Sequence, residues 1–212
     1  MSFAKEAWPF VLPFLLAALV VYLLRQPRWA IGLAVVGLLV LLFFRDPRRS
    51  FAGAPGIVVA PADGKITAIS QVEDPEIGPG RYHRVVTFLS VFDVHVQRCP
   101  VDGEIVHSEL RRGLKLAAFR PDVGEKNEAH TNVFVRPRGD RVGVRQLAGL
   151  LARRVVSYVA AGERHRRGDR LGVIKFGSRV DLFVPETYRV LVRVGDRAKN
   201  GETPMAEPGA AK

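Results

Sequence analysis

The chain has 212 residues, 48% of them hydrophobic, with 32 Lys and Arg against 21 Asp and Glu for a formal charge of +11. That length holds one compact domain with room for membrane segments, and a single cysteine, Cys99, excludes an internal disulfide framework and fits a reducing compartment. The cation surplus suits nucleic acid or an anionic membrane surface. The membrane is favoured, because no aromatic-interleaved basic motif accompanies the charge and an apolar anchor does.

No charged residue interrupts Ala7–Leu24 or Trp29–Phe44. Each run approaches the roughly 17 to 25 apolar residues that a spanning helix needs. Trp8, Tyr22 and Trp29 stand near the run ends, where amphipathic rings favour the headgroup region. A secretory signal fits less well, since the first run is long for such a segment and a second follows at once. Arg25-Gln26-Pro27-Arg28 is long enough only to reverse the chain, so residues 1–45 are expected to form a helical hairpin with both ends on one side. Arg45, Arg48 and Arg49 favour the cytoplasmic face of the cell membrane, although Arg25 and Arg28 oppose this if the hairpin spans.

Residues 46–55 read as a linker rich in Pro, Gly and Arg, followed by a domain over 56–194. Its texture predicts a mainly β or α+β fold, an antiparallel sheet or barrel. Short β-branched runs at Ile57–Ala60, Lys65–Ser70, Arg84–Val91, Val94–Arg98, Glu104–Ser108, Thr131–Val135, Arg141–Arg145 and Arg189–Val194 are separated by Gly, Pro and Asp. Gln146–Val159 suits helix and strand about equally. Residues 195–212, polar and containing Pro and Gly, read as a disordered tail.

Pro61-Ala62-Asp63-Gly64-Lys65-Ile66 is echoed by Pro100-Val101-Asp102-Gly103-Glu104-Ile105. Asp-Gly between β-prone runs is a strong hairpin signal, because Gly accepts positive φ without steric cost. Paired hairpins of this kind also suit a non-catalytic, membrane-anchored β adaptor with lipoyl-like hairpins, which stands as the alternative function.

Within Arg167–Pro185, Gly177-Ser178 interrupts two β-like runs. A β-bulge with an exposed serine accounts for the pattern. The pair also suits backbone chemistry: glycine leaves the carbonyl of the bond unshielded, and the serine hydroxyl can attack it if a base activates it. His83, His95, His107, His130 and His165 are the histidines available.

Phe176-Gly177-Ser178-Arg179-Val180-Asp181 closely resembles the processing site of the short, bacterial and archaeal-type phosphatidylserine decarboxylases. So do Gly168–Ile174, Ala60–Lys65, Phe88-Leu89-Ser90-Val91-Phe92-Asp93-Val94-His95-Val96 and Ala148–Arg154, in the same order. The resemblance implies a proenzyme that cuts itself between Gly177 and Ser178 into a large chain, 1–177, and a small chain, 178–212, which stay together as a heterodimer. Ser178 would become a covalent pyruvoyl group, the pyruvate cofactor. That group would form a Schiff base with phosphatidylserine and release carbon dioxide, giving phosphatidylethanolamine. The family is thought to mature through an Asp-His-Ser relay, which maps to Asp63, His95 and Ser178. Long-form members carry a second histidine three positions on; here it is Arg98, which cannot act as a base at neutral pH. His95 is therefore expected to serve both steps.

Other candidates have plainer readings. Asp102 reads as a turn residue, His83 and His165 as solvated among arginines, and His130 as part of a surface polar loop. Lys115 and Arg112 read as a basic solvated face. No spacing of Cys, His, Asp and Glu suggests a metal, and nucleic acid is not expected as a partner.

Overall fold

A computed structural model describes residues 2–114, 126–149, 154–175 and 178–209, with Ser178 described in its backbone alone. The chain separates into two units, Met1–Arg48 and Arg49–Lys212.

In the first unit β1 (Ser2–Phe3) leads through a 3-10 turn at Lys5–Ala7 into α1 (Trp8–Leu23), and α2 (Pro27–Phe43) leads into β2 (Arg45–Asp46). The helical stretch Lys5–Leu23 is long and apolar enough to cross a membrane, whereas α2 has 17 residues. Arg25, at φ 58°, reverses the chain between the helices. Gly37 lets them approach closely, since a Cβ there would lie 3.3 Å from the Cβ of Phe14. β1 pairs antiparallel with β2, Ser2 opposite Asp46, so the two ends of the hairpin lie side by side. Leu16, Leu23 and Ile31 point outward and are exposed. A helix apolar all round has no water-facing side, which is the pattern of a lipid environment.

The second unit is built of strands. They are β3 (Val58–Val59), β4 (Gly64–Asp74), β5 (Gly78–Leu89), β6 (Val96–Arg98), β7 (Gly103–Arg111), β8 (Ala129–Val135) and β9 (Arg141–Ala148). Then come β10 (Val155–Ser157), β11 (Arg164–His165), β12 (Arg170–Ile174), β13 (Ser178–Pro185), β14 (Tyr188–Val190), β15 (Arg197–Ala198) and β16 (Pro204–Pro208). Among the described residues eight of them form one antiparallel sheet, curled into a half-barrel, in the order β11-β7-β8-β9-β13-β5-β4-β15. Two three-stranded sheets, β10-β12-β6 and β14-β16-β3, complete it. Along β13, Val180, Leu182 and Val184 enter the main core with Val58, Ile66 and Phe134, while Phe183 joins a smaller cluster on the other face with Ile77 and Tyr82. Period-two alternation thus buries both faces of the central strand.

The sequence echo corresponds to a duplicated backbone. Val59 donates its N–H to the Pro100 carbonyl (3.0 Å) and Arg98 donates its own to the Pro61 carbonyl (2.9 Å). Ile66 exchanges backbone hydrogen bonds with Gly195 and Asp196, and Ile105 exchanges the same pair with Gly162 and Glu163. β15 pairs with β4 at Arg197 and Lys65 as β11 pairs with β7 at Arg164 and Glu104.

Several expectations need correction. The two Asp-Gly pairs do not sit at hairpin apices: Gly64 and Gly103 each open a strand, where a Cβ would strike the carbonyl oxygen of Phe88 or Val135 on the neighbouring strand. Close backbone approach demands glycine at both places, and Gly64, at φ 149°, also takes a positive φ that glycine allows. The ambiguous Gln146–Val159 contains the end of β9 and all of β10, with 150–153 outside the described residues. The stretch read as a disordered tail carries β15 and β16, and Met205 and Ala206 are fully buried.

Candidate active site

Backbone register gathers three of the sequence candidates at one end of the main sheet. Ser178 opens β13 opposite Leu89 of β5 on one side and Ala148 of β9 on the other. Asp63 immediately precedes β4, where Lys65 faces Phe88. His95 lies between the end of β5 and β6, and its carbonyl accepts the N–H of Ile174 at the end of β12 (3.3 Å), four residues short of Ser178. Gly177 lies outside the described residues.

Asp63 is a junction of three distant segments. Its carboxylate accepts from the Arg49 guanidinium (3.0 Å) and the Asn200 N–H (2.7 Å), and the backbone of Val94 adds a small favourable influence on its charged form. Arg49 also reaches Glu202 at 3.3 Å. Burial pushes the Asp63 carboxyl above the usual carboxylate range; the Asn200 N–H and the Arg49 charge pull the other way, and the nearby Asp93 charge adds to the rise.

Its relative Asp102, at the equivalent place in the second half, accepts the Arg167 N–H (2.9 Å) just as Asp63 accepts that of Asn200. That bond therefore belongs to the duplicated fold. What sets Asp63 apart is burial, the arginine and the contact to the histidine segment. Asp102 is exposed, as a turn residue should be.

The His95 side chain is fully buried, with Nδ1 3.0 Å from the Asp93 carbonyl. A carbonyl only accepts, so Nδ1 carries hydrogen, and Nε2 is the ring nitrogen that can take up or give up a proton. A main-chain carbonyl thus helps to orient His95, and Asp63 stands beside the same segment at Val94. Asp93 is itself held, its carboxylate accepting from the Ser90 N–H (2.8 Å) and hydroxyl (2.7 Å) and from Arg197. Behind the histidine, Gln97 Nε2 donates to the His95 carbonyl and Gln146 Nε2 to Gln97 Oε1, both at 2.8 Å; Thr87 is buried on the same sheet face. Arg98 is buried and donates to the Gly168 carbonyl (2.8 Å), a structural bond.

Sequence reasoning missed Arg49, Asp93, Gln97, Gln146 and Asn200. Asp93 and Gln97 stand in or beside the histidine motif, so a reading of hydrogen-bond needs around His95 would have found them. Arg49 and Asn200 give no local signal. Of the remaining candidates, His83 and His165 lie apart from this end, whereas His130 faces Gln146 in register. His83 Nε2 lies near the Glu186 carbonyl (3.1 Å) and His165 near Glu163 (3.0 Å), both at the surface. His130 is not in a loop: it sits half-buried in β8, 3.0 Å from the Ser108 hydroxyl, and burial depresses its pKa ahead of a smaller effect from His107. Cys99 is a buried free thiol whose pKa burial raises far out of reach. Arg112 is exposed, and Lys115 lies outside the described residues. No group of three potential metal ligands occurs among the described residues.

The family model for phosphatidylserine decarboxylase matches residues 36–206. The phosphatidylserine decarboxylase proenzyme of Symbiobacterium thermophilum is 46% identical over 202 residues, 94% of this chain and 93% of that protein. Proenzymes of the same name from Nitrosomonas eutropha, at 41% over 96% of this chain and 94% of theirs, and Saccharopolyspora erythraea, at 43% over 92% and 85%, are similar throughout. With relatives this alike along nearly the whole length, the chain belongs to the phosphatidylserine decarboxylase family.

Proposed function

We propose that this protein decarboxylates phosphatidylserine to phosphatidylethanolamine after cutting itself between Gly177 and Ser178, with a pyruvoyl group formed from Ser178. The observation that carries the reading is the position of residue 178, the first of a central strand paired on both sides, at the sheet end where Asp63 and His95 are held. A terminus created there stays in place, because the ladders to β5 and β9 do not depend on the bond to residue 177.

Maturation needs only the chain's own groups. His95 Nε2 takes the Ser178 hydroxyl proton while Nδ1–H remains on the Asp93 carbonyl. The hydroxyl oxygen attacks the Gly177 carbonyl; the C–N bond breaks, the nitrogen leaves as the amine of residue 178, and an ester joins the two residues. Removal of the Cα proton expels the Gly177 carboxylate and leaves dehydroalanine. Water converts that enamine to a ketone, with loss of ammonia.

The same end of the sheet fits the ketone, since the layer of Thr87, His95, Gln97 and Gln146 is buried from water. When formed, the pyruvoyl group supplies a carbonyl that engages the lipid's amine and accepts the electron pair released with carbon dioxide. Asp63 and Asp93 fix the histidine segment, and His95 Nε2 delivers a proton to the carbon that has lost its carboxylate. The chains 1–177 and 178–212 remain one heterodimer, because β13, β15 and β16 of the small chain pair with β5, β9, β4 and β3 of the large one. The hairpin of residues 1–45 anchors the enzyme to the cell membrane at its cytoplasmic face, next to a substrate that never leaves the bilayer.

Mass spectrometry of purified protein tests this directly. The expected result is two chains, the smaller beginning at residue 178 with a blocked, pyruvoyl terminus, and carbon dioxide release from phosphatidylserine. A single uncut chain that is fully active would overturn it.

A further inference from the structure

We propose that the Ser90–Asp93 turn is a membrane-seating tip that inserts into an anionic bilayer surface and aligns the catalytic end of the second unit with it. The turn is braced: the Asp93 N–H donates to the Ser90 carbonyl (3.0 Å), and the Asp93 carboxylate accepts both the N–H and the hydroxyl of Ser90. Its two central residues are Val91 and Phe92, 49% and 82% exposed. Phe92 is more exposed than Trp29 of the hydrophobic hairpin, at 73%.

Central turn positions ordinarily carry Gly, Pro, Asn, Asp or Ser. A single exposed apolar residue is unremarkable, but two in succession on a rigid apex contradict the local chemistry. The duplicated fold supplies an internal comparison. Glu104 faces Val135 as Lys65 faces Phe88, so the chain leaving β8 occupies the place of the chain leaving β5. There it reads Arg136-Pro137-Arg138-Gly139-Asp140, an ordinary polar turn. The fold itself therefore does not require Val-Phe at this place.

The neighbours identify the partner. Lys65 is exposed and paired in register with both Phe88 and Arg197, and Arg197, with 66% of its side chain exposed, bonds Asp93 at the base of the turn. An apolar apex with cations around its base matches a layer with anionic headgroups above an apolar interior. His95 follows the turn by two residues, so seating the tip brings the catalytic end to the lipid surface. The inference rests on the proposed function for this purpose. A tether fixes distance to the membrane, and a rigid tip fixes orientation.

The test uses the full-length chain carrying Trp8→Phe, Trp29→Phe and Phe92→Trp, which leaves position 92 as its only indole. In vesicles of phosphatidylcholine and phosphatidylglycerol, its emission should shift to the blue and be quenched by brominated acyl chains. Emission insensitive to the bromines overturns the proposal. A second variant, Val91→Ser with Phe92→Ser, should cut itself normally and lose roughly tenfold or more of its turnover on long-chain phosphatidylserine in those vesicles. Its turnover on monomeric short-chain phosphatidylserine should be unchanged. Equal loss on both substrates, or loss on neither, counts against the tip. If the unmodified protein decarboxylates nothing, the proposed function fails, and the quenching result alone still decides whether the tip enters the bilayer.

Discussion

At the candidate site, Arg49 and Asp63 form a close ion pair. Their contact is 3.0 Å long and each side chain is 12% exposed. Burial dominates the Asp63 carboxyl and raises its pKa, while Arg49 opposes that rise. Replacing Arg49 with Met removes the opposing charge, so Asp63 should keep its proton to a higher pH. If ionised Asp63 steadies the segment that carries His95, the acidic limb of the self-cleavage rate must move upward in pH; an unmoved limb would remove Asp63 from the maturation machinery. Chain conversion followed on a gel across the pH range reads it. Asp63→Asn should slow cleavage about tenfold or more, the scale of losing one hydrogen bond to a charged group. Asp102→Asn, at the equivalent exposed position, should leave cleavage unchanged. Asp63 and His95 were legible in the sequence because each sits in a compact motif. Arg49 was read only as a topology signal, since a partner 14 positions away in an irregular segment leaves no spacing to recognise.

At the scale of elements, β13 was visible as a β-like run but its surroundings were not. A central strand usually reads as an unbroken apolar run. β13 carries Arg179 and Asp181, which form a buried two-point ion pair at 2.6 and 2.7 Å on the face opposite the main core. They stand in the motif that resembles a processing site, and the geometry makes them a structural pair. Asp181→Asn leaves the Arg179 guanidinium buried without its counter-charge and should destabilise the protein by about 3 kcal/mol. Replacing both residues with apolar ones of similar volume should cost markedly less. Thermal melts of the two variants separate the cases: for a protein of this size the single variant should melt roughly 10 °C lower. Equal melting temperatures would mean that the pair is solvated in solution. The hairpin helices were legible almost to the residue, because charge-free runs and a four-residue link are local signals. The Asp-Gly pairs misled about hairpin apices for the complementary reason: besides the positive φ of Gly64, the need for glycine came from a neighbouring strand's carbonyl, which local turn chemistry does not contain.

The whole molecule is closed by its last segment. Residues 195–208 looked like a tail because they are polar and contain Pro and Gly, and no local pattern marks their few apolar side chains as core. Their partners lie more than a hundred positions earlier: β15 pairs with β4, β16 with β3, and the Asn200 N–H and side chain bond Asp63 and the Val96 carbonyl at 2.7 and 2.8 Å. The β15–β4 pairing and the Asn200 N–H bond have counterparts in the first half of the duplicated fold, in β11 on β7 and the Arg167 N–H on Asp102, so this segment completes the second half as that one completes the first. The consequence differs between the two, because only the second closure touches the aspartate built into the site. Truncation after Val194 removes both pairing strands together with Met205, whose fully buried side chain alone should be worth about 2 to 5 kcal/mol by comparison with other buried Met-to-Ala changes. Such a chain should neither fold nor cut itself. The milder Met205→Ala should still mature but melt lower, and Asn200→Gly should melt close to the parent while cleaving more slowly, because it keeps the N–H to Asp63 and loses the bond to Val96 that sets its position. If the chain truncated after Val194 cuts itself at the parental rate, residues 195–208 are dispensable and Asp63 is held without them.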